Sequence, residues 1–137
     1  MFAILRWSAL PGASRHHWGT DVDVFDRSAL PPGVAPRLER REATPGGTFG
    51  HLHAWLDDHA QRLGFFRPYG RHRGGVSPEP WHLSYAPLAR IFEDAHSPEM
   101  LERTLRGADL EIKDEVLRHL DAIYARYVRS VSAPPVS

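Results

Sequence analysis

At 137 residues the chain fits a single domain, and with 42% hydrophobic and 25% charged residues it can bury a real core. Its 17 basic side chains balance 17 acidic ones, so no global field favours an anionic membrane and no nucleic-acid partner is expected. Zero cysteines exclude disulfides and thiolate metal sites, leaving His, Asp and Glu as metal ligands, and no apolar run approaches bilayer-spanning length.

Residues 2–7 form a short apolar element whose pattern suits helix or strand; with no basic leader or small-residue cleavage site, no signal peptide is expected. Pro11-Gly12 breaks the chain into a loop holding Ser14 and His16. Residues 21–26 alternate polar and apolar, the two-residue period of a half-buried strand. That strand puts Asp21 and Asp23 on one face, turns Val22 and Val24 into the core, and ends near Asp26. Prolines, glycines and mixed charges make 30–47 an irregular exposed connection, with the run 37–42 solvated. A helix follows from Thr48, bears Leu52, Trp55, Leu56 and Leu63, and stops at Gly64; Trp7 and Trp55 are assigned to the core.

Residues 65–69 read as extended and lead into a glycine-rich loop at 70–75, with Glu79 and His82 directly after it. Pro87 opens a short helix with Leu88, Ile91 and Phe92 on one face. Ser97-Pro98-Glu99 sets an N-cap before proline at the first helical position, so another helix starts there. Between 110 and 128, Val116, Leu117, Leu120, Ile123, Tyr124 and Tyr127 make the stripe of an amphipathic helix. The expected domain spans 1–129, with a disordered, proline-containing tail at 130–137. The elements together predict an α+β fold, a small and mostly antiparallel sheet with packed helices.

Two distant segments look like halves of one metal site. Ser14-Arg15-His16-His17-Trp18-Gly19-Thr20-Asp21-Val22-Asp23 offers a histidine and an aspartate seven positions apart, and Glu79-Pro80-Trp81-His82 offers a carboxylate three before a second histidine. His16, Asp23 and His82 as ligands leave a fourth tetrahedral position for water, and Glu79 is the spare carboxylate for general-base work. Gly19 permits the tight turn that returns Asp23 beside His16. In a regular strand Glu79 and His82 would face opposite sides, so the pairing needs a bend, which Pro80 allows.

The ordered pair S-x-H-x-x-G-x-x-x-D and E-x-W-H resembles the LAS metallopeptidases, especially the VanY-like D-alanyl-D-alanine carboxypeptidases. Trp7-Ser8-Ala9-Leu10-Pro11-Gly12 and Trp81-His82-Leu83-Ser84-Tyr85 resemble the same group. The resemblance implies a LAS/hedgehog-like metallopeptidase fold with a zinc cleft, Zn2+ bound by His16, Asp23 and His82, and Glu79 as the catalytic carboxylate. It implies hydrolysis of D-Ala-D-Ala-containing peptidoglycan peptides in the bacterial cell envelope or periplasm. The alternatives are a stem-peptide endopeptidase and a non-catalytic zinc-stabilised binding module. Ser14 is expected to contact substrate, with Trp81 and Arg71 as further candidates. Asp21 stands where relatives commonly place a small residue; it either orients an imidazole from behind the metal or faces solvent. Relatives also have a preceding region with an arginine that grips a substrate carboxylate, and the chain reads as lacking that usual N-terminal part.

Overall fold

The computed structural model describes residues 1–133. Three antiparallel strands form a sheet in the order β1-β3-β2: β1 (Asp21–Asp23), β2 (Phe65–Phe66) and β3 (His82–Tyr85). Helices follow the sheet: α1 (Gly50–His59) lies between β1 and β2, and α2 (Ala86–Ala95), α3 (Pro98–Gly107), α4 (Lys113–Arg118) and α5 (Leu120–Ile123) come after β3. The expected α+β architecture is thus present.

Register places the polar residues. Asp21 opposes Ser84, Val22 opposes Leu83, and Asp23 opposes His82. Directly opposed residues share a face, so Asp21, Asp23, Ser84 and His82 all project from the same side of the sheet. Leu83, on the other side, packs with Leu56 and Ala60 from the α1 region. Edge strand β1 stops at Asp23, short of the expected Asp26, and Val22 is 47% exposed instead of buried. The buried side chain of β1 is Asp21, with 5% exposure, because β1 turns its polar face towards the central strand's interior partners.

The larger core lies among the C-terminal helices. Leu101 and Leu105 of α3 meet Val116, Leu120, Ile123, Tyr124 and Tyr127, and the N-terminal Leu5 and Leu10 close the cluster. Ser97 caps α3 as expected, its hydroxyl accepting from Met100 N–H at 3.2 Å. The stripe expected on one helix over 110–128 is buried except for the half-buried Leu117, but the helix breaks at His119 (φ −108°, ψ 15°) and finishes as a π-helical turn, Tyr124–Val128. Against that turn lies Gly75, where a β-carbon would stand 1.9 Å from the Arg126 carbonyl oxygen, so only glycine permits the approach.

Both tryptophans assigned to the core differ from expectation. Trp7 is 68% exposed and Trp55 47%, so neither is a core residue. Leu63 is also exposed, beyond the end of α1, and the α2 face of Leu88, Ile91 and Phe92 is exposed, while Ala86 and Ala89 are the buried residues of that helix. Ala89 has the short side chain that close helix–sheet packing needs, so α2 turns its alanines inward and not its larger apolar side chains. In the expected tail, Ser130 donates to the Arg73 carbonyl at 2.9 Å and Ser132 N–H to the Pro68 carbonyl at 2.8 Å; residues 134–137 lie outside the described residues.

Candidate metal centre

Ser14 enters a single 3₁₀ turn, Arg15–Trp18, which ends at Gly19 in the left-handed conformation (φ 70°). That reversal delivers His16 beside the start of β1, and Asp23 follows at the far end of the strand. Glu79 approaches from the other half of the chain. His82 N–H donates to the Glu79 carbonyl at 3.1 Å, so 79–82 is a turn and not a regular strand. This is the bend required to bring a residue and its third neighbour to one side. Two contacts hold the turn: Glu79 N–H donates to the Tyr69 carbonyl at 2.9 Å, and Arg67 Nε to the Pro80 carbonyl at 2.8 Å. Arg67 also pairs with Asp57 of α1, so its guanidinium ties the turn to that helix.

His16, Asp23 and His82 each offer a ligand atom, and these atoms lie within 4.8 Å of one another. Asp23 Oδ1 is 3.4 Å from His82 Nδ1 and 3.6 Å from His16 Nε2. Ligands bonded at ~2.0 Å to one tetrahedral ion stand about 3.3 Å apart, so the spacing suits a shared cation. His82 Nδ1 is buried and makes no hydrogen bond among the described residues, although Glu79 Oε2 is only 3.5 Å away. An orphaned buried nitrogen facing two carboxylates fits a position for a cation. Two imidazoles and a carboxylate are borderline-hard donors of the kind zinc takes.

Three carboxylates converge on His82, and the electrostatics follow. Burial opposes charge on its ring, yet the hydrogen bond to Asp21 and the neighbouring Asp23 and Glu79 push its pKa up to about 10. Asp23 is held below the usual carboxylate range, chiefly by the His82 ring beside it. Burial raises the Asp21 carboxyl, but His82, Arg15 and Thr20 outweigh it and hold that group far below its ordinary value. These shifts give the metal-free protein a signed pH dependence. A folded pKa above the unfolded value of about 6.5 means His82 stabilises fully below that pH and loses its contribution as pH rises towards 10. Asp21, depressed in the folded state, stabilises above about pH 4 and loses its contribution in stronger acid. After chelation, the urea midpoint is expected to fall between pH 6.5 and 9.5; a midpoint unchanged across that window would contradict the arrangement.

A cleft of about 320 Å³ opens over the centre. Ser14 and Trp81, two expected substrate contacts, line it together with Glu79. Arg71 is exposed on the glycine-rich loop and is absent from the lining. Asp21, left between two roles by the sequence, is buried and accepts from His82 Nε2 at 2.9 Å. His17 is exposed.

Sequence reasoning missed several lining residues, Tyr69, Trp7 and Leu38 among them. Tyr69 sets its ring edge-on to His82 at 4.9 Å between centroids, and burial raises its phenol well above the ordinary value. Trp7 and Leu38 stand on the lining too, Leu38 in the left-handed region (φ 54°) that costs a residue with a β-carbon about 1–2 kcal/mol. No local pattern marks any of the three, because their positions depend on how distant loops meet.

Residues 1–88 match the VanY family, described as D-alanyl-D-alanine carboxypeptidase. An uncharacterized protein of Haemophilus influenzae is 37% identical over 121 residues, which cover 87% of this chain and 92% of that protein. A D-alanyl-D-alanine carboxypeptidase of Enterococcus faecalis is 29% identical over 102 residues, 72% of this chain but 32% of that protein, so the match spans about a third of the enterococcal enzyme. No solved structure matches the chain.

Proposed function

The chain belongs to the VanY family of D-alanyl-D-alanine carboxypeptidases, and from that premise we propose that it is a zinc peptidase removing terminal D-alanine from peptidoglycan peptides. The observation that supports a metal most directly is the orphaned His82 Nδ1, set 3.4 Å from Asp23 with His16 on the same cluster. His16, Asp23 and His82 would hold the ion. When bound, zinc supplies Lewis acidity, bringing the ionisation of water near neutral pH and polarising a carbonyl.

The residues of the chain do the rest. Glu79, with its side chain 19% exposed at the cleft, accepts a proton from the attacking water as the carbon–oxygen bond forms. It then returns that proton to the amine of the departing D-alanine as the carbon–nitrogen bond breaks, so the carboxylate ends as it began. Ser14 and the Tyr69 phenol line the same cleft and can hydrogen-bond the peptide; Trp81, 8% exposed, walls it off from bulk water and strengthens charge interactions inside. Among the described residues no helix is long and apolar enough to cross a membrane. The proposed substrate places the protein's work in the bacterial envelope.

Elemental analysis combined with product identification tests this reading. The purified chain is expected to bind zinc in equimolar amount and to release D-alanine from a pentapeptide ending in D-Ala-D-Ala. Chelation should abolish release and zinc should restore it. Full activity after complete metal removal would refute the zinc reading, and a product other than D-alanine would refute the carboxypeptidase assignment.

A further inference from the structure

The two imidazoles of the centre present different nitrogens, and one residue behind them accounts for both. Arg15 is 3% exposed, lies 4.4 Å over the Trp18 ring, and donates from Nη1 to Glu93 Oε1 at 2.5 Å. Its Nη2 donates to Ser84 Oγ at 2.8 Å. Arginine has no acceptor, so that hydroxyl turns its own proton to Asp21 Oδ2 at 2.9 Å. Thr20 Oγ1 donates to the same oxygen at 2.7 Å, and Arg15 Nε to Oδ1 at 2.8 Å. The fourth group on the carboxylate is His82 Nε2, at 2.9 Å.

This set of bonds leaves no freedom in the direction of the last one. An ionised carboxylate only accepts, so His82 Nε2 bears the proton and the lone pair of the neutral ring falls on Nδ1. That is the buried atom without a hydrogen-bond partner among the described residues. The main-chain carbonyl of Asp21 meanwhile accepts from His16 Nδ1 at 3.1 Å, which leaves the His16 lone pair on Nε2. Both lone pairs therefore belong to the atoms that face Asp23.

We propose that Asp21, clamped by Arg15, is a positioning residue that sets the tautomer and aim of both imidazoles, so that a cation meets His82 through Nδ1 and His16 through Nε2. The proposal rests on the metal-centre reading above and adds to it a residue that touches neither substrate nor cation. A carboxylate behind a ligating imidazole fixes the ring and makes it a stronger donor. Here the side chain serves one ring and the backbone of the same residue serves the other.

Zinc affinity of the full chain, measured by competition with a chromophoric chelator, is the test. Asp21→Asn is expected to weaken zinc binding by about 10–100-fold. Ser84→Ala, which removes one of the four donors to Asp21, should weaken it by a smaller factor. Ser97→Ala, at the distant cap of α3, should lower thermal stability without changing zinc affinity, which separates positioning from general loosening. Imidazole nitrogen NMR of the zinc-loaded wild type should show a protonated, slowly exchanging His82 Nε2 that is lost in Asp21→Asn. Equal zinc affinity in wild type and Asp21→Asn, or a His82 proton found on Nδ1, would overturn the proposal. Should Asp21→Asn fail to fold, unchanged affinity in Ser84→Ala overturns it instead. A wild-type chain that binds no zinc sinks the metal-centre reading, and the proposal with it.

Discussion

Glu79→Gln is expected to lower turnover of a D-Ala-D-Ala peptide by about 10²–10⁴-fold, the usual contribution of a positioned acid–base group, while bound zinc stays equimolar. The substitution is nearly isosteric, and the contacts that place residue 79 come from its backbone: its N–H on the Tyr69 carbonyl and its carbonyl under His82 N–H. The amide would therefore occupy the same place in the cleft. What it cannot do is accept a proton at pH 7, so the attacking water would keep its proton and the amine would depart without one. Steady-state kinetics on the pentapeptide, with elemental analysis of the same sample, separates the two effects. Activity above a tenth of wild type would remove Glu79 from the mechanism; loss of the metal together with activity would make it a ligand and not a base.

Arg15→Met should destabilise the protein by about 3–5 kcal/mol, the range for stripping one partner from a buried ion pair. Methionine roughly keeps the volume over Trp18, so the change isolates charge and hydrogen bonding from packing. It takes the guanidinium from the Asp21 carboxylate, whose side chain is 0% exposed, and removes the donors to Ser84 and Glu93. For a domain of this size such a loss lowers the melting temperature by on the order of 10–15 °C. Thermal and urea denaturation followed by circular dichroism would read it. Arg15→Lys should recover only part of the loss, because one ammonium cannot span the directions that the guanidinium fork reaches. A loss under about 1 kcal/mol for Arg15→Met would mean the pair is far better solvated than its burial indicates.

The apolar positions show where periodicity succeeds and where it fails. Val116, Leu120, Ile123, Tyr124 and Tyr127 were readable as one stripe and are buried together, because a 3.6-residue period is a property of the local chain. The break at His119 was not readable; there the ring packs edge-on against Phe2, more than a hundred residues away in sequence. The α2 helix was also readable, but its inward face follows from sheet contact at Ala86 and Ala89 and not from the larger Leu88, Ile91 and Phe92. The sequence reading assigns Trp7 to the core, yet its place on the cleft lining depends on where the 3₁₀ turn Ile4–Arg6 comes to rest.

By itself the sequence determined the chemical inventory: two imidazoles and two carboxylates in two short motifs, Gly19 for the reversal, Pro80 for the bend, and Ser97 for the cap. Residue type and local backbone preference are properties of a few neighbouring positions, so they can be read without coordinates. Only the tertiary structure decided what Asp21 does. Its alternation in β1 allowed a solvent-facing carboxylate as readily as a buried one. The choice came from the antiparallel register, which sets Asp21 opposite Ser84 and Asp23 opposite His82, and from the Arg15 charge that makes burial of a carboxylate tolerable. Pairing between residues some 60 positions apart is a long-range event, and no local pattern in either segment encodes it.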